Sequence, residues 1–182
     1  MRPHPSPKTI AIALWGTVGT LVLLLDGIVR LSMTVASILS REVPSAAEWI
    51  FGSVWTILIT YTEGYKAFQQ RFSPRVVARS MHLGEQGRFV HIALAPMYAM
   101  ALIHATPRRL IANWIILAGI VSIIVLVRAL PPVWRAMIDA GVVCALSWGS
   151  VAMLIYLVRA LRGNPPEIPL DLPGEEGSKS VF

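Results

Sequence analysis

The sequence contains a single cysteine, Cys144, and few charged residues for its length. One cysteine excludes an intramolecular disulfide, a redox relay through paired cysteines and a cysteine-rich zinc or iron–sulfur site. Charged residues make up 14% of the 182 residues, against about 25% in an ordinary soluble domain, and hydrophobic residues make up 55%. A soluble globular protein is therefore excluded, as are membrane oxidoreductases that work through cysteine pairs.

The hydrophobic residues occur in blocks, and the mean hydropathy of the chain is +0.63. The blocks have the length of roughly 17 to 25 residues with which a helix crosses about 30 Å of hydrocarbon. We therefore predict an all-α fold, a polytopic membrane helix bundle. Five transmembrane helices are expected, over residues 9–31, 46–66, 89–105, 110–129 and 135–161.

The two ends of the chain differ from this bundle. Residues 1–8 form a short N-terminal segment, and no small-x-small cleavage site follows the first apolar block, so we interpret that block as an uncleaved span. Residues 162–182 are rich in proline and acidic residues and contain few residues able to form a core. We expect this tail to be disordered or extended.

Local signals mark two helix starts. Ser45 is followed three residues later by Glu48, the spacing of a capping box, and this predicts the start of the second span. Ser73 and Pro74 predict the N-cap and first residue of a short helix inside the basic loop 67–88.

That short helix has an amphipathic pattern. Arg75, Arg79 and His82 share one face, while Val76, Val77 and Met81 can face acyl chains, so we predict an interfacial helix on an anionic membrane surface. The expected contacts with anionic lipid of the cytoplasmic leaflet, or with a partner protein, are made by four arginines: Arg71, Arg75, Arg79 and Arg88.

The distribution of lysine and arginine bears on the number of spans. With five spans and a cytoplasmic N-terminus, nine of these residues lie inside and six outside, leaving aside Arg30 within a span. If residues 89–105 are re-entrant, four spans remain and the numbers become twelve and three. Helix signals favour five spans and charge favours four, and the side of the C-terminal tail depends on the answer.

Four ionisable residues lie inside or at the ends of the predicted spans, where charge is costly. Asp26 and Arg30 are spaced for an ion pair within one helix, or for a site facing a polar cavity or a partner subunit. Glu63 can pair with Lys66 at the interface or accept protons. Asp139 is either a carboxylate favoured by the start of the last helix, or a partner of Glu63 or of a loop arginine.

Two histidines, His91 and His104, lie 13 residues apart in the third predicted span. This resembles the spacing of haem ligands in cytochrome b helices. On one continuous helix, however, the two rings would point about 140° apart. Each haem would also lack a second histidine ligand from another span. We therefore expect two histidines that form hydrogen bonds near the membrane interfaces, and we predict no cofactor and no metal.

Small residues are spaced for close helix packing in three of the spans. They lie four apart, which lets helix backbones approach one another. These residues are Gly16 and Thr20, Ala95 and Ala99, and Gly141, Ala145 and Gly149.

No motif of a catalytic nucleophile, zinc protease or phosphate-binding loop is present, so we lean against an enzyme. We expect a non-catalytic accessory or structural subunit of a larger membrane complex. The alternative is a small homo-oligomeric transporter or channel whose polar route is lined by Asp26, Arg30, Glu63 and Asp139. The expected partners are anionic lipids and membrane proteins or further copies of the chain, not nucleic acid. The excess of arginine over lysine favours a bacterial inner membrane, with the N-terminus cytoplasmic.

Overall fold

The computed structural model describes residues 6–86 and 89–172, and in these ranges the chain forms helices and no β-strand. The elements in chain order are α1 (Pro7–Leu39), α2 (Ala46–Ile59), the π-helical segment π1 (Thr60–Phe72), α3 (Ser73–Gln86), α4 (Phe89–Ala93), α5 (Ala95–Ala99), α6 (Pro107–Arg128) and α7 (Pro132–Leu161).

Capping residues fix the starts of the first two helices. The Ser6 hydroxyl accepts a hydrogen bond from the Thr9 amide at 3.2 Å, and Pro7 supplies a first residue that needs no donor. At α2 the Ser45 amide donates to the Glu48 carboxylate at 2.8 Å, and the Glu48 amide donates to the Ser45 hydroxyl at 3.4 Å. The capping box predicted for α2 is therefore confirmed.

Helix α2 continues without a break into π1, a π-helical segment of 13 residues. Such segments usually span a single turn. Residues five apart become neighbours there, and the Lys66 ammonium lies 4.8 Å from the centre of the Tyr61 ring. Glu63 is exposed. Lys66 thus packs on an aromatic ring, where the sequence suggested a pair with Glu63.

Three long helical stretches form the bundle. Helix α7 runs parallel to α2 and π1, because Trp55 donates to the Ile138 carbonyl at 3.3 Å near their starts and Ser73 donates to the Gly149 carbonyl at 3.1 Å further along. Helix α1 runs antiparallel to both, since Gly27 faces Leu146 while the first half of α1 packs with the second half of α7. The main core cluster, Ala13, Leu21, Val76, Val77, Met81, Ala99, Met153, Leu157 and Ala160, lies where α1, α3, α5 and α7 meet.

The small residues singled out in the sequence lie at helix contacts, as predicted. Gly16, Thr20, Ala95, Ala99, Gly141, Ala145 and Gly149 are all buried. The closest approach of two backbones was not anticipated. A Cβ added to Gly84 of α3 would lie 2.7 Å from the Thr9 carbonyl oxygen and 2.8 Å from its Cα, so only glycine allows α1 and α3 to cross here.

Residues 89–105 do not form the single spanning helix that was predicted. Helices α4 and α5 have five residues each, separated at Leu94, and Ala101 and His104 have left-handed backbone angles, φ 55° and 50°. The apolar residues that suggested a span pack instead on protein: Ala95, Tyr98 and Ala99 are buried against α1 and α3. The prediction failed because a buried, interrupted segment has the same hydropathy as a lipid-facing helix.

The predicted interfacial helix is also not confirmed. Helix α3 continues directly from π1, and Ser73 has helical backbone angles and donates its hydroxyl to the Gly149 carbonyl, so the predicted N-cap at Ser73 is wrong. Val76, Val77 and Met81 belong to the protein core, and Arg79 is completely buried. Nearly all residues of α3 are buried against other parts of the protein. On the face that meets α1, Ser80 and Gly84 are small enough for the two helices to lie in close contact.

Helix α6 differs from every other long helix in having no buried residue. It is held to the bundle through its first two turns, where the side-chain amide of Asn113 donates to the Met100 and Ala101 backbone carbonyls at 3.1 and 2.9 Å. Every residue from Trp114 to Leu126 is exposed. Helices α1, α6 and α7 are each long and apolar enough to cross a membrane. The chain is therefore a helical membrane protein.

Candidate functional site at the basic end of the bundle

One end of the bundle gathers most of the positive charge; we call it the basic end. The start of α1, helices α3 to α5, the first turn of α6, the end of α7 and the tail to residue 172 meet there. Its cationic residues in the described ranges are Lys8, Arg75, Arg79, Arg108, Arg109, Arg159 and Arg162. The opposite end, where α1 leads into α2 and α6 into α7, has Arg41, Arg128 and Arg135.

Arg79 is the organising residue of the basic end. It has no exposed surface, and its guanidinium donates to backbone carbonyls of three separate segments. The Nε atom donates to Tyr98 at 2.8 Å, one terminal nitrogen donates to His104 at 2.9 Å and to Ile103 at 3.3 Å, and the other donates to Leu170. A planar fork with five donors suits this task better than an ammonium does. Arg79 therefore ties the 98–104 turn and the tail to α3.

An aromatic cluster covers the same guanidinium. Arg79 lies 4.5 Å from the centre of the Tyr98 ring, a cation–π contact, and Tyr98 stacks on His104 at 5.8 Å. The rings of His91 and His104 are 4.4 Å apart. The expected separation of these histidines on one helix is wrong, because the left-handed residues Ala101 and His104 turn the chain back on itself.

A second cluster joins the tail to α3 and α6. The Asp171 carboxylate lies 3.6 Å from the Nε atoms of both Arg75 and Arg109, each less than one-third exposed. The Thr106 amide donates to the Asp171 backbone carbonyl at 2.9 Å. From residue 164 to 172 the tail has no helix or strand and is held against the bundle, with a left-handed backbone angle at Asp171, φ 53°; the rest of the tail lies outside the described residues.

The four arginines predicted to contact lipid or a partner have different environments. Arg71 is exposed near the end of π1, Arg75 is half-buried beside Asp171, and Arg79 is buried. Arg88 lies outside the described residues. The prediction that Arg79 faces a lipid surface is therefore wrong, since its donors are used within the protein.

The four ionisable residues predicted inside or at the ends of the spans, Asp26, Arg30, Glu63 and Asp139, do not form one site. Arg30 donates to Asp26 at 2.7 Å, the ion pair that their spacing predicts, and both side chains are more than half exposed. Asp139 is 7% exposed and lies 3.5 Å from Arg135 of its own helix, and its Oδ2 has no hydrogen bond. Glu63 is exposed on π1.

Few features of the sequence predict the contacts at the basic end. Arg79 meets carbonyls that are 19 to 91 residues away, and Asp171 lies in a segment without a helix pattern. The one available signal was a basic residue amid apolar neighbours on a short helix, which also fits a membrane surface. Only the folded chain brings these groups together.

No protein-family model, curated protein or solved structure matches the chain. Within residues 6–86 and 89–172 no group of three or more histidine, cysteine, aspartate or glutamate side chains is placed to hold a metal ion. The arrangement at the basic end is suited to anchoring backbone and to holding an anion between two arginines.

Proposed function

We propose that this protein is a non-catalytic accessory subunit of a larger complex in a bacterial inner membrane, and that α6 is the helix that contacts its partner. The observation that carries the proposal is the exposure of α6. The proposal has two parts, the topology of the chain in the membrane and the surface that it offers there.

Four crossings account for the bundle: α1, α2 with π1, α6 and α7. The interrupted segment 89–105 then stays at the basic end, which supports the re-entrant alternative that charge favoured. Seven described lysines and arginines lie at that end against three at the other, leaving aside Arg30, Lys66 and Arg71 within α1 and π1. Because cytoplasmic segments carry the excess of these residues, the basic end is cytoplasmic, and Ser6 and Leu172, the first and last described residues, lie there.

Helix α6 supports the proposed role in a complex. Its exposed stretch from Trp114 to Leu126 has one polar side chain, Ser122, whose hydroxyl donates to the Ala118 carbonyl at 2.9 Å. The helix has little contact with α7 and none of its residues is buried. A helix of another protein could therefore pack on the exposed surface of α6 without displacing a contact within this chain.

Photo-crosslinking in native membranes tests this directly. A photoreactive amino acid is introduced at Ile116 or Ile123, which lie seven residues apart on α6. Matched controls are Val22 of α1 and Val151 of α7. All four side chains are 57 to 60% exposed, so lipid contact alone gives equal yields. We expect one defined protein adduct from the α6 positions and none from the controls.

Two results contradict the proposal. Equal yields of lipid adducts at all four positions would mean that α6 faces lipid only. An adduct of α6 with a second copy of this chain would favour the homo-oligomeric alternative.

One observation favours that alternative, a transporter or channel. Asp139 is a nearly buried carboxylate in α7 with one oxygen that lacks a hydrogen bond, and intramembrane carboxylates commonly mark ion or proton pathways. Asp139→Asn keeps the shape of the side chain and removes its charge. Proton flux into proteoliposomes that falls in this variant, and not in Glu42→Gln in the exposed turn between α1 and α2, would support transport.

A further inference from the structure

We propose that Arg75 and Arg109 form a binding site for the phosphate of an anionic phospholipid, and that Asp171 occupies this site in the structure. The inference rests on the membrane topology proposed above. It adds a defined ligand and a competing group from the same chain.

The geometry of the two arginines points to an anion larger than a carboxylate. Charge-assisted hydrogen bonds between guanidinium and carboxylate are about 2.7–2.9 Å long. Arg75 and Arg109 instead lie 3.6 Å from the same Asp171 oxygen. Both Nε atoms are shielded from solvent and have no hydrogen-bond partner. A phosphate group presents several oxygens around a wider centre, so it can accept from both arginines at once.

The surroundings favour a lipid as the source of that phosphate. Arg109 lies in the first turn of α6, where the helix dipole favours an anion. The apolar surface of α6 begins two residues later, with Ile111 and Ile115 more than 60% exposed. A phospholipid whose phosphate lies between the arginines can therefore extend its acyl chains along α6.

Hydrogen bonds to the tail backbone hold the Asp171 carboxylate at this site, where it would compete with the lipid phosphate. Arg79 binds the Leu170 carbonyl and Thr106 binds the Asp171 carbonyl, so the backbone on both sides of the Asp171 side chain is anchored. Removing the carboxylate charge while keeping these anchors should leave the arginines free for lipid.

The test uses the full-length protein purified in mild detergent and titrated with phosphatidylglycerol, with binding followed by native mass spectrometry. Phosphatidylcholine, which is zwitterionic, is the comparison lipid. Arg109→Gln removes one arm of the site, and Arg108→Gln is its matched control, because Arg108 is the exposed neighbour with the same charge. Asp171→Asn removes the competitor.

We expect Arg109→Gln to weaken phosphatidylglycerol binding about fivefold, the effect of a partly exposed charge pair, and Arg108→Gln to change it less than about twofold. We expect Asp171→Asn to strengthen binding about threefold. A gain of binding is the opposite of the loss expected when the site itself unfolds, and an unchanged melting temperature of Asp171→Asn shows that the fold is intact.

Three results would overturn the site. The first is an equal loss in Arg108→Gln and Arg109→Gln, which indicates general surface charge. The second is unchanged or weaker binding in Asp171→Asn. The third is inorganic phosphate binding as tightly as phosphatidylglycerol, which indicates a soluble anion.

The side of the membrane is measured separately, by labelling a cysteine placed at Asn164 in cells. If Asn164 is cytoplasmic and the lipid results fail, the lipid site alone is wrong. If Asn164 is outside, the proposed topology is wrong and the site is overturned with it.

Discussion

Replacing Arg79 by glutamine should release the 98–104 turn and the tail from α3 while leaving the rest of the bundle folded. Arg79 is completely buried and donates to the carbonyls of four residues in these segments. Glutamine is shorter and has a single amide group, so most of these carbonyls lose their donor.

The size of the effect follows from the burial of the individual bonds. The bond from Nε to the Tyr98 carbonyl is buried, and the three other bonds are partly buried. A charged hydrogen bond contributes about 1.5–3 kcal/mol, and the partly exposed bonds contribute about half as much each. The four bonds together then contribute about 4–7 kcal/mol, so the local opening free energy should fall by at least about 4 kcal/mol, which corresponds to roughly a thousandfold change in the opening equilibrium.

Hydrogen–deuterium exchange in lipid nanodiscs measures this opening. The Leu102 and Thr106 amides donate within the affected region, to Met97 and Asp171, and should exchange at least about a hundredfold faster in Arg79→Gln. Amides in the first half of α7 should be unaffected. Arg71→Gln, which removes the same charge from an exposed position, is the control.

Unchanged exchange at Leu102 and Thr106 in Arg79→Gln would refute this reasoning. Equal acceleration in the Arg71 and Arg79 variants would refute it as well, because the effect would then depend on net charge and not on the carbonyl bonds.

Three further predictions concern the bundle. Gly84→Ala should lower the free energy of unfolding in detergent by at least about 2 kcal/mol, because the added methyl group meets the Thr9 backbone. Gly119→Ala, which has open space around it, should be neutral or stabilising. Equal melting temperatures of the two variants would contradict the close crossing of α1 and α3. Ser45→Ala should destabilise the start of α2 by about 1 kcal/mol, and unchanged amide exchange at Glu48 would argue against the capping box. Asp26→Asn should leave the melting temperature unchanged, since its ion pair is exposed, and a clear decrease would point to a buried partner.

Much of the fold could be predicted from local sequence signals. The spans predicted at 110–129 and 135–161 correspond to α6 and α7, which begin three residues earlier. Both helices were detected because each begins at a proline and continues as a long apolar run. The capping box at Ser45 is equally local. Each of these features depends on residues within a few positions of one another.

The remaining features depend on contacts between distant residues. Apolar character alone does not distinguish a residue facing lipid from one facing α1, so residues 89–105 suggested a membrane span. The same ambiguity made Arg79 look like a surface residue. The π-helical geometry of Thr60–Phe72 also leaves no clear pattern in the sequence, and its packing against α7 is evident only in the structure.

Cysteine labelling of intact cells tests the proposed four-crossing topology most directly. Cys144 is replaced by serine, and single cysteines are placed at Leu130, in the turn before α7, and at Asn164, after it; both positions are exposed. A membrane-impermeant maleimide should label Leu130→Cys in intact cells and Asn164→Cys only after permeabilisation. The opposite pattern, labelling of Asn164→Cys and not of Leu130→Cys in intact cells, would contradict the proposed topology.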